Sequence, residues 1–388
     1  MRVDTETMLQ ARPRPARAAD GLTAIPCVVM RGGTSRGPFF HREDLPADEE
    51  TMKRVLLRVM GSPHVRQIDG IGGADPVTSK VAMVRRSQRA DADVDYLFAQ
   101  VIVERAFVDT SPSCGNIITG VGPFAIEEGL VEASDPETVV RIWDVNTGSL
   151  VEARVQTPGG VVNYAGNLRI DGVNDLYASI GLNFSRMVGA KTGSLFPTGQ
   201  RAEEILGVTV SCVDMAMPVV FVPAAPVGRT GYESKADLDA DTELLAKLEA
   251  IRLVAGERMG FGDVTGRVIP KIALVAPPVQ GGSIASRYFV PYAVATAYAV
   301  TGGTCLATAC CVPGTDAAQL AHLPGGAVQQ VAIEHPQGKM FVSIALEDTA
   351  GLVVVKDASL IRNARKLMSG LVYVPSSVWP GNNGDKTG

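Results

Sequence analysis

The sequence predicts an α+β protein of two pseudo-symmetric domains with a site in the cleft between them. Length is the first reason. At 388 residues the chain exceeds what one ordinary hydrophobic core organises, so two domains are expected. The second reason is an internal repeat. An apolar strand at 25–30 is matched by one at 217–222, and a helix ending at Met60 by one at 241–253. Ser79-Lys80-Val81-Ala82-Met83-Val84 is matched by Pro270-Lys271-Ile272-Ala273-Leu274-Val275. Lys80 and Cys114 stand 34 positions apart (114 − 80), as do Lys271 and Cys305 (305 − 271), a coincidence of order and spacing that a duplication explains. The third reason is texture: 41 glycines and 24 prolines punctuate short Val- and Ala-rich runs, the mark of many turns between short strands. The domains are expected at 23–186 and 187–370, with 371–388 returning to the first.

Residues 1–22 lack an apolar segment of secretory type and are expected to be a disordered extension. The strand at 25–30 runs into Arg31-Gly32-Gly33-Thr34-Ser35, a glycine loop without the Gly-Lys-Ser/Thr of a nucleotide loop. It reads as a carboxylate-binding turn of N–H groups, hydroxyls and Arg31, with a plain hairpin turn as the alternative. Residues 46–60 place Met52, Val55, Leu56 and Val59 on one helical face, and Gly61 stops the helix. A glycine loop at 67–75 leads to Lys80, which opens an apolar strand, and 94–104 is a further strand. A lysine entering a buried strand is costly unless it is paired or working.

Ser113 and Gly129 then bracket a small-residue helix starting near Cys114. A thiol there faces the positive end of the helix dipole, which favours its thiolate, and Gly115 leaves backbone N–H groups open to an anion. Residues 139–184 alternate apolar and polar between turns, as antiparallel strands do. In the second half, Gly302-Gly303-Thr304 reads as a glycine-rich turn before another small-residue helix, and Cys305, Cys310 and Cys311 as helix-core thiols. The segment at 371–378 is expected to pair back onto the first domain.

A net charge of −5 argues against a nucleic-acid binder. No apolar run reaches the ~20 residues of a membrane helix. Six scattered cysteines and four histidines show no metal-ligand spacing, so neither a metal nor a disulfide is expected, and the pattern suits a reducing cytoplasm. Two helix N-termini, Lys80, Lys271, Arg31 and Arg287 around one cleft can hold a small di- or tricarboxylate. Lys80 and Cys114 can then move a proton beside a carbonyl without a cofactor. A non-catalytic carboxylate binder is the alternative from another class.

Arg31-Gly32-Gly33-Thr34-Ser35, Asp69-Gly70-Ile71-Gly72-Gly73-Ala74-Asp75, Thr78-Ser79-Lys80 and Cys114-Gly115-Asn116-Ile117 together resemble the methylaconitate isomerase family, which has the diaminopimelate epimerase fold. The likeness runs from about Ile25 through nearly the whole chain. It implies two similar domains, each a curved, mostly antiparallel sheet wrapped around a central helix. It implies Lys80 and Cys114 as the proton-transfer pair, and the loop 31–35, Ser79, Gly115, Asn116 and the Gly302 to Thr304 turn on substrate carboxylates. Residues 91–100 and Val121-Gly122-Pro123-Phe124-Ala125 are closest to members that interconvert keto and enol forms of 4-oxalomesaconate in bacterial gallate and protocatechuate breakdown. An allylic isomerase of oxalomesaconate or 2-methylaconitate is the alternative, and a homodimer is compatible with either.

Diaminopimelate epimerase has a second catalytic thiol in an Ala-Cys-Gly-Thr-Gly pattern. Aligned on Gly-Thr, Gly302 stands there in this chain and Cys305 lies deeper. A missing second thiol argues against racemase or epimerase chemistry, which needs a group on each face of the substrate.

Overall fold

The computed structural model describes residues 14–17, 21–290, 293–295, 298–349 and 352–381. Of the expected disordered extension, residues 1–13 and 18–20 lie outside these. Part of the rest is ordered: β1 (Ala16–Arg17) pairs antiparallel with Thr23 and Ala24, and Leu22 already belongs to the next strand.

In the first half, β2 (Leu22–Gly32) and β3 (Ser35–His41) form a hairpin whose turn holds Gly33 at φ 51°, a left-handed value that suits glycine. Helix α1 (Glu49–Met60) starts at Asp48, whose side chain accepts the Thr51 N–H, and stops at Gly61 in the αL conformation. Strand β4 (Lys80–Arg86) lies parallel to β3, and β5 (Val94–Val101) antiparallel to β4. Then β6 (Val108–Asp109) leads into α2 (Gly115–Ile118) and α3 (Val121–Glu127). The two are one helix interrupted at Thr119 and Gly120, where the bonds tighten to Thr119 N–H···O Asn116 and Gly120 N–H···O Ile117. Pro123 explains the break, because it has no N–H for the Thr119 carbonyl and its ring crowds that oxygen. Strands β7 (Glu137–Asp144), β8 (Ser149–Gln156) and β9 (Ile180–Asn183) complete the half, with β7 parallel to β5. The sheet curls around α2–α3, burying Ile117, Val121 and Phe124 against Ala82, Val84, Phe98 and Ala153. Helix α1 packs on the outer face against Phe40, Val81 and Met83.

The second half repeats this wiring. It runs β10 (Glu203–Ile205), β11 (Val208–Met215), β12 (Met217–Pro223), α4 (Lys235–Ala240), α5 (Thr242–Arg258), β13 (Lys271–Ala276), β14 (Ile284–Phe289), α6 (Val300–Cys311), α7 (Asp316–Leu320), β15 (Gln329–His335), β16 (Gly338–Thr349), β17 (Leu352–Arg362) and β18 (Ala364–Pro375). Strand β12 is parallel to β13 with Phe221 opposite Ala273, as β3 is parallel to β4 with Phe39 opposite Ala82. Strand β14 is parallel to β15, as β5 is to β7. The equivalent of 217–222 is therefore β3, not the strand at 25–30. Both candidates are apolar, and only pairing direction separates them.

The halves are joined by strands. Asn183 of β9 lies opposite Ser359 of β17, and β18 runs along the whole of β2, from Ala364 opposite Gly32 to Pro375 opposite Leu22. The returning strand thus begins earlier than the 371–378 read from sequence. This is an α+β architecture of two pseudo-symmetric, mostly antiparallel curved sheets, each around a central helix, of the diaminopimelate epimerase-like kind.

Candidate active site

Cys114 is the last extended residue before α2, with φ −132° and ψ 103°, and its carbonyl accepts the Ile118 N–H at 3.0 Å. It is itself the N-cap. Ser113, expected in that role, donates instead to the Asp144 carboxylate. Lys80 opens β4 on the same face as Ala82 and Val84, since strand side chains alternate, and that face looks at α2. Its Nζ donates to Cys114 Sγ at 3.3 Å and sits 5.3 Å from the centroid of the Phe98 ring. Cys114 is 9% exposed and Lys80 half-buried, so the contact between amine and thiol is partly shielded from water.

The glycine loop lies flat on the start of α2. A Cβ at Gly32 would stand 2.3 Å from the Asn116 carbonyl oxygen, and one at Gly33 2.2 Å from Asn116 Oδ1. Asn116 Nδ2 donates to Thr34 Oγ1 at 3.1 Å. A Cβ at Gly115 would stand 2.4 Å from the Val300 side chain, so the N-termini of α2 and α6 abut. Beside them is a cavity of about 270 Å³. Thr34 and Asn116 line it from the first half, with Arg169 and Asp171 from the loop before β9. Tyr298, His335, Lys339 and Arg362 line it from the second half. Its charged lining is mostly cationic.

The other expected site residues have the following partners. Arg31 holds the loop from beneath: Nη1 donates to Gly33 O at 2.7 Å and to Asn363 Oδ1 at 2.8 Å, and the guanidinium stacks 4.7 Å from the Tyr177 ring centroid. Among the described residues, its Nη2 and the Ser35 hydroxyl are buried without a hydrogen-bond partner. Ser79 is fully buried, donating to Val101 O at 2.8 Å and accepting from Gln67 Nε2 at 2.7 Å, so it braces the loop at 67–75 and does not face the cavity. Arg287 donates from Nε to Glu233 O at 2.8 Å and from Nη1 to Ser286 O at 3.1 Å. Gly302, Gly303 and Thr304 form no turn. They lie inside α6, which begins at Val300. Gly302 packs on Tyr288, Gly303 on Met340, and Thr304 donates back to Val300 O at 3.0 Å. Small residues are there because two side chains press on the helix.

Lys271 opens β13 as Lys80 opens β4, but no thiol meets it. Burial first, and then Arg252, push its pKa down to about 8. Cys305 is fully buried within α6 and points its thiol at Val213 O, 3.4 Å away. Sequence reasoning missed Arg362, His335 and Asn363. The one available signal was the basic cluster Arg362-Asn363-Ala364-Arg365-Lys366 in a chain of negative net charge.

A family model described as PrpF protein matches residues 22–375. The chain belongs to this family. It is 50% identical to the (4E)-oxalomesaconate Delta-isomerase of Novosphingobium sp. (strain KA1), over 93% of this chain and 100% of that protein. It is also 50% identical to the 4-oxalomesaconate tautomerase of Pseudomonas putida, over 93% of this chain and 99% of that one. A crystal structure of methylitaconate-delta-isomerase superposes with a TM-score of 0.82 at 38% identity, covering 95% of this chain and all of that one. Among the described residues, no helix is long and apolar enough to cross a membrane, and no three His, Cys, Asp or Glu side chains gather to hold a metal.

Proposed function

We propose that the chain is a cofactor-independent isomerase of small unsaturated tricarboxylates, most closely a 4-oxalomesaconate tautomerase, with Lys80 and Cys114 as the proton-transfer pair. The 3.3 Å contact between Lys80 Nζ and Cys114 Sγ, two residues before Asn116 in the wall of a mostly cationic cavity, carries this reading. In the keto form of the substrate, a methylene lies between a carbonyl and a carbon–carbon double bond. The Cys114 thiolate takes a proton from that carbon, and the electron pair moves onto the carbonyl oxygen. The Lys80 ammonium gives a proton to that oxygen, which leaves the enol. Proton return from sulfur to nitrogen across the existing hydrogen bond resets the pair. Thr34 and Asn116, with Gly32, Gly33 and Gly115 behind them, form the wall that receives a carboxylate.

A second reading is supported by the equal identity to a Delta-isomerase: the proton returns to the far alkene carbon, and the double bond moves. Ultraviolet absorbance of 4-oxalomesaconate distinguishes keto from enol. A rapid approach to equilibrium with the native protein, lost in a folded Lys80→Met variant, is expected. An active Lys80→Met protein would sink the proton-transfer assignment. Proton NMR in D2O separates the two reactions, because allylic transfer labels a different carbon.

A further inference from the structure

The cavity contains a cation that the proton transfer does not use. Arg362 ends β17 partly buried, and its side chain lines the cavity. Burial pulls its pKa down to about 10, the direction in which desolvation acts on a cation, and Asp171 offsets part of it. No ion pair closes between them, and the Asp171 carboxylate accepts the Lys339 backbone N–H at 3.1 Å. Among the described residues, the Arg362 side chain makes one hydrogen bond, from Nη1 to Ile361 O at 3.2 Å. A guanidinium has five N–H donors, and a partly buried one with a single backbone acceptor leaves most of them for a ligand.

Two neighbours shape this corner. Burial pushes His335 down to about 4, so its ring is neutral near pH 7. Its Nδ1 accepts the Gln337 N–H at 3.3 Å, which assigns the ring proton to Nε2 as a donor. Asn363 clasps the corner between β17 and β18 to the glycine loop: its carbonyl accepts the Gly33 N–H at 2.9 Å, and its Nδ2 donates to Leu168 O at 3.1 Å. Arg362 is thereby held facing the same cavity as Thr34 and Asn116.

We propose that Arg362, assisted by His335, binds the substrate carboxylate that takes no part in proton transfer, and so selects tricarboxylates over dicarboxylates. This rests on the reading that the cavity is the substrate site. A planar fork of N–H donors beside one neutral N–H fits a carboxylate, and a dicarboxylate leaves that fork unanswered.

Calorimetric titration with propane-1,2,3-tricarboxylate and with glutarate tests it, because neither saturated acid can isomerise. The native protein is expected to bind the tricarboxylate about 10- to 100-fold more tightly. Arg362→Gln should bring both acids to the level of glutarate, and Arg362→Lys, which keeps the charge but not the fork, should fall between. In turnover, Arg362→Gln should raise KM for the tricarboxylate more than it lowers kcat. Unchanged tricarboxylate affinity in Arg362→Gln overturns the proposal, as does an equal loss for both acids. If circular dichroism shows Arg362→Gln unfolded, Arg362→Lys decides by the same comparison. A native protein that prefers the tricarboxylate yet isomerises nothing would sink the isomerase reading and leave this one standing. One that isomerises a tricarboxylate but shows no preference would do the reverse.

Discussion

Lys80 and Lys271 occupy matching strand positions and meet different fates. Lys80 finds a thiol, whereas Lys271 is partly buried near Arg252 with no acid to offset it. Its folded pKa of about 8 lies below the ordinary 10.5, so between these values the unfolded chain binds more protons. Stability from this group is therefore lowest below about pH 8 and rises towards pH 10.5. Lys271→Met should gain roughly 1–3 kcal/mol at pH 7, with the gain shrinking as pH climbs through that window. Urea unfolding at pH 7 and pH 10 checks it, and a gain independent of pH would mean that packing, not charge, is responsible. At this scale the sequence was partly legible. Cys114 at a helix start and Lys80 opening an apolar strand could be read from sequence, and the family resemblance paired them. Arg31 and Arg287 were placed in the site as cations around a cleft, and Ser79 through the family resemblance. Their partners are backbone carbonyls, Gln67, Asn363 and the Tyr177 ring, which no residue-type rule picks out.

The elements that matter most are two helix starts pressed together. Gly115 faces Val300, and an alanine there would put its Cβ 2.4 Å from that side chain. Gly115→Ala should cost about 1–3 kcal/mol of stability by overpacking. By displacing α2, and with it Cys114, it should lower kcat/KM by about 10²-fold. Steady-state kinetics beside a thermal melt separate the two effects, and unchanged kinetics would show that the contact does not position the site. Both glycine-rich segments read as turns in the sequence, and one of them is not. Arg31-Gly32-Gly33-Thr34-Ser35 is a true turn, while Gly302-Gly303-Thr304 is helix interior thinned to admit Tyr288 and Met340. A run of small residues reads the same in both cases, because the side chains that require it come from elsewhere in the chain.

For the whole molecule, the repeated halves share one core and two strand junctions. Phe124 and Ala153 from the first half belong to the same buried cluster as Cys305, Ile333 and Leu360 from the second. Unfolding should therefore be a single transition, with circular dichroism and tryptophan fluorescence coincident. Two separated transitions would show that the halves are energetically independent. By itself the sequence determined that there is a duplication, where most strands and helices lie, and that a lysine and a thiol repeat at one spacing. Those are properties of local pattern and order along the chain, and residue periodicity carries them. Only the tertiary structure decided that the lysine and the first thiol touch while the second is entombed, and that β18 returns along the whole of β2. It alone brought Arg362, His335 and Asn363 to the cavity beside Thr34 and Asn116. Such contacts join segments far apart in the chain. They are set by the curvature and register of paired strands, which no local pattern encodes.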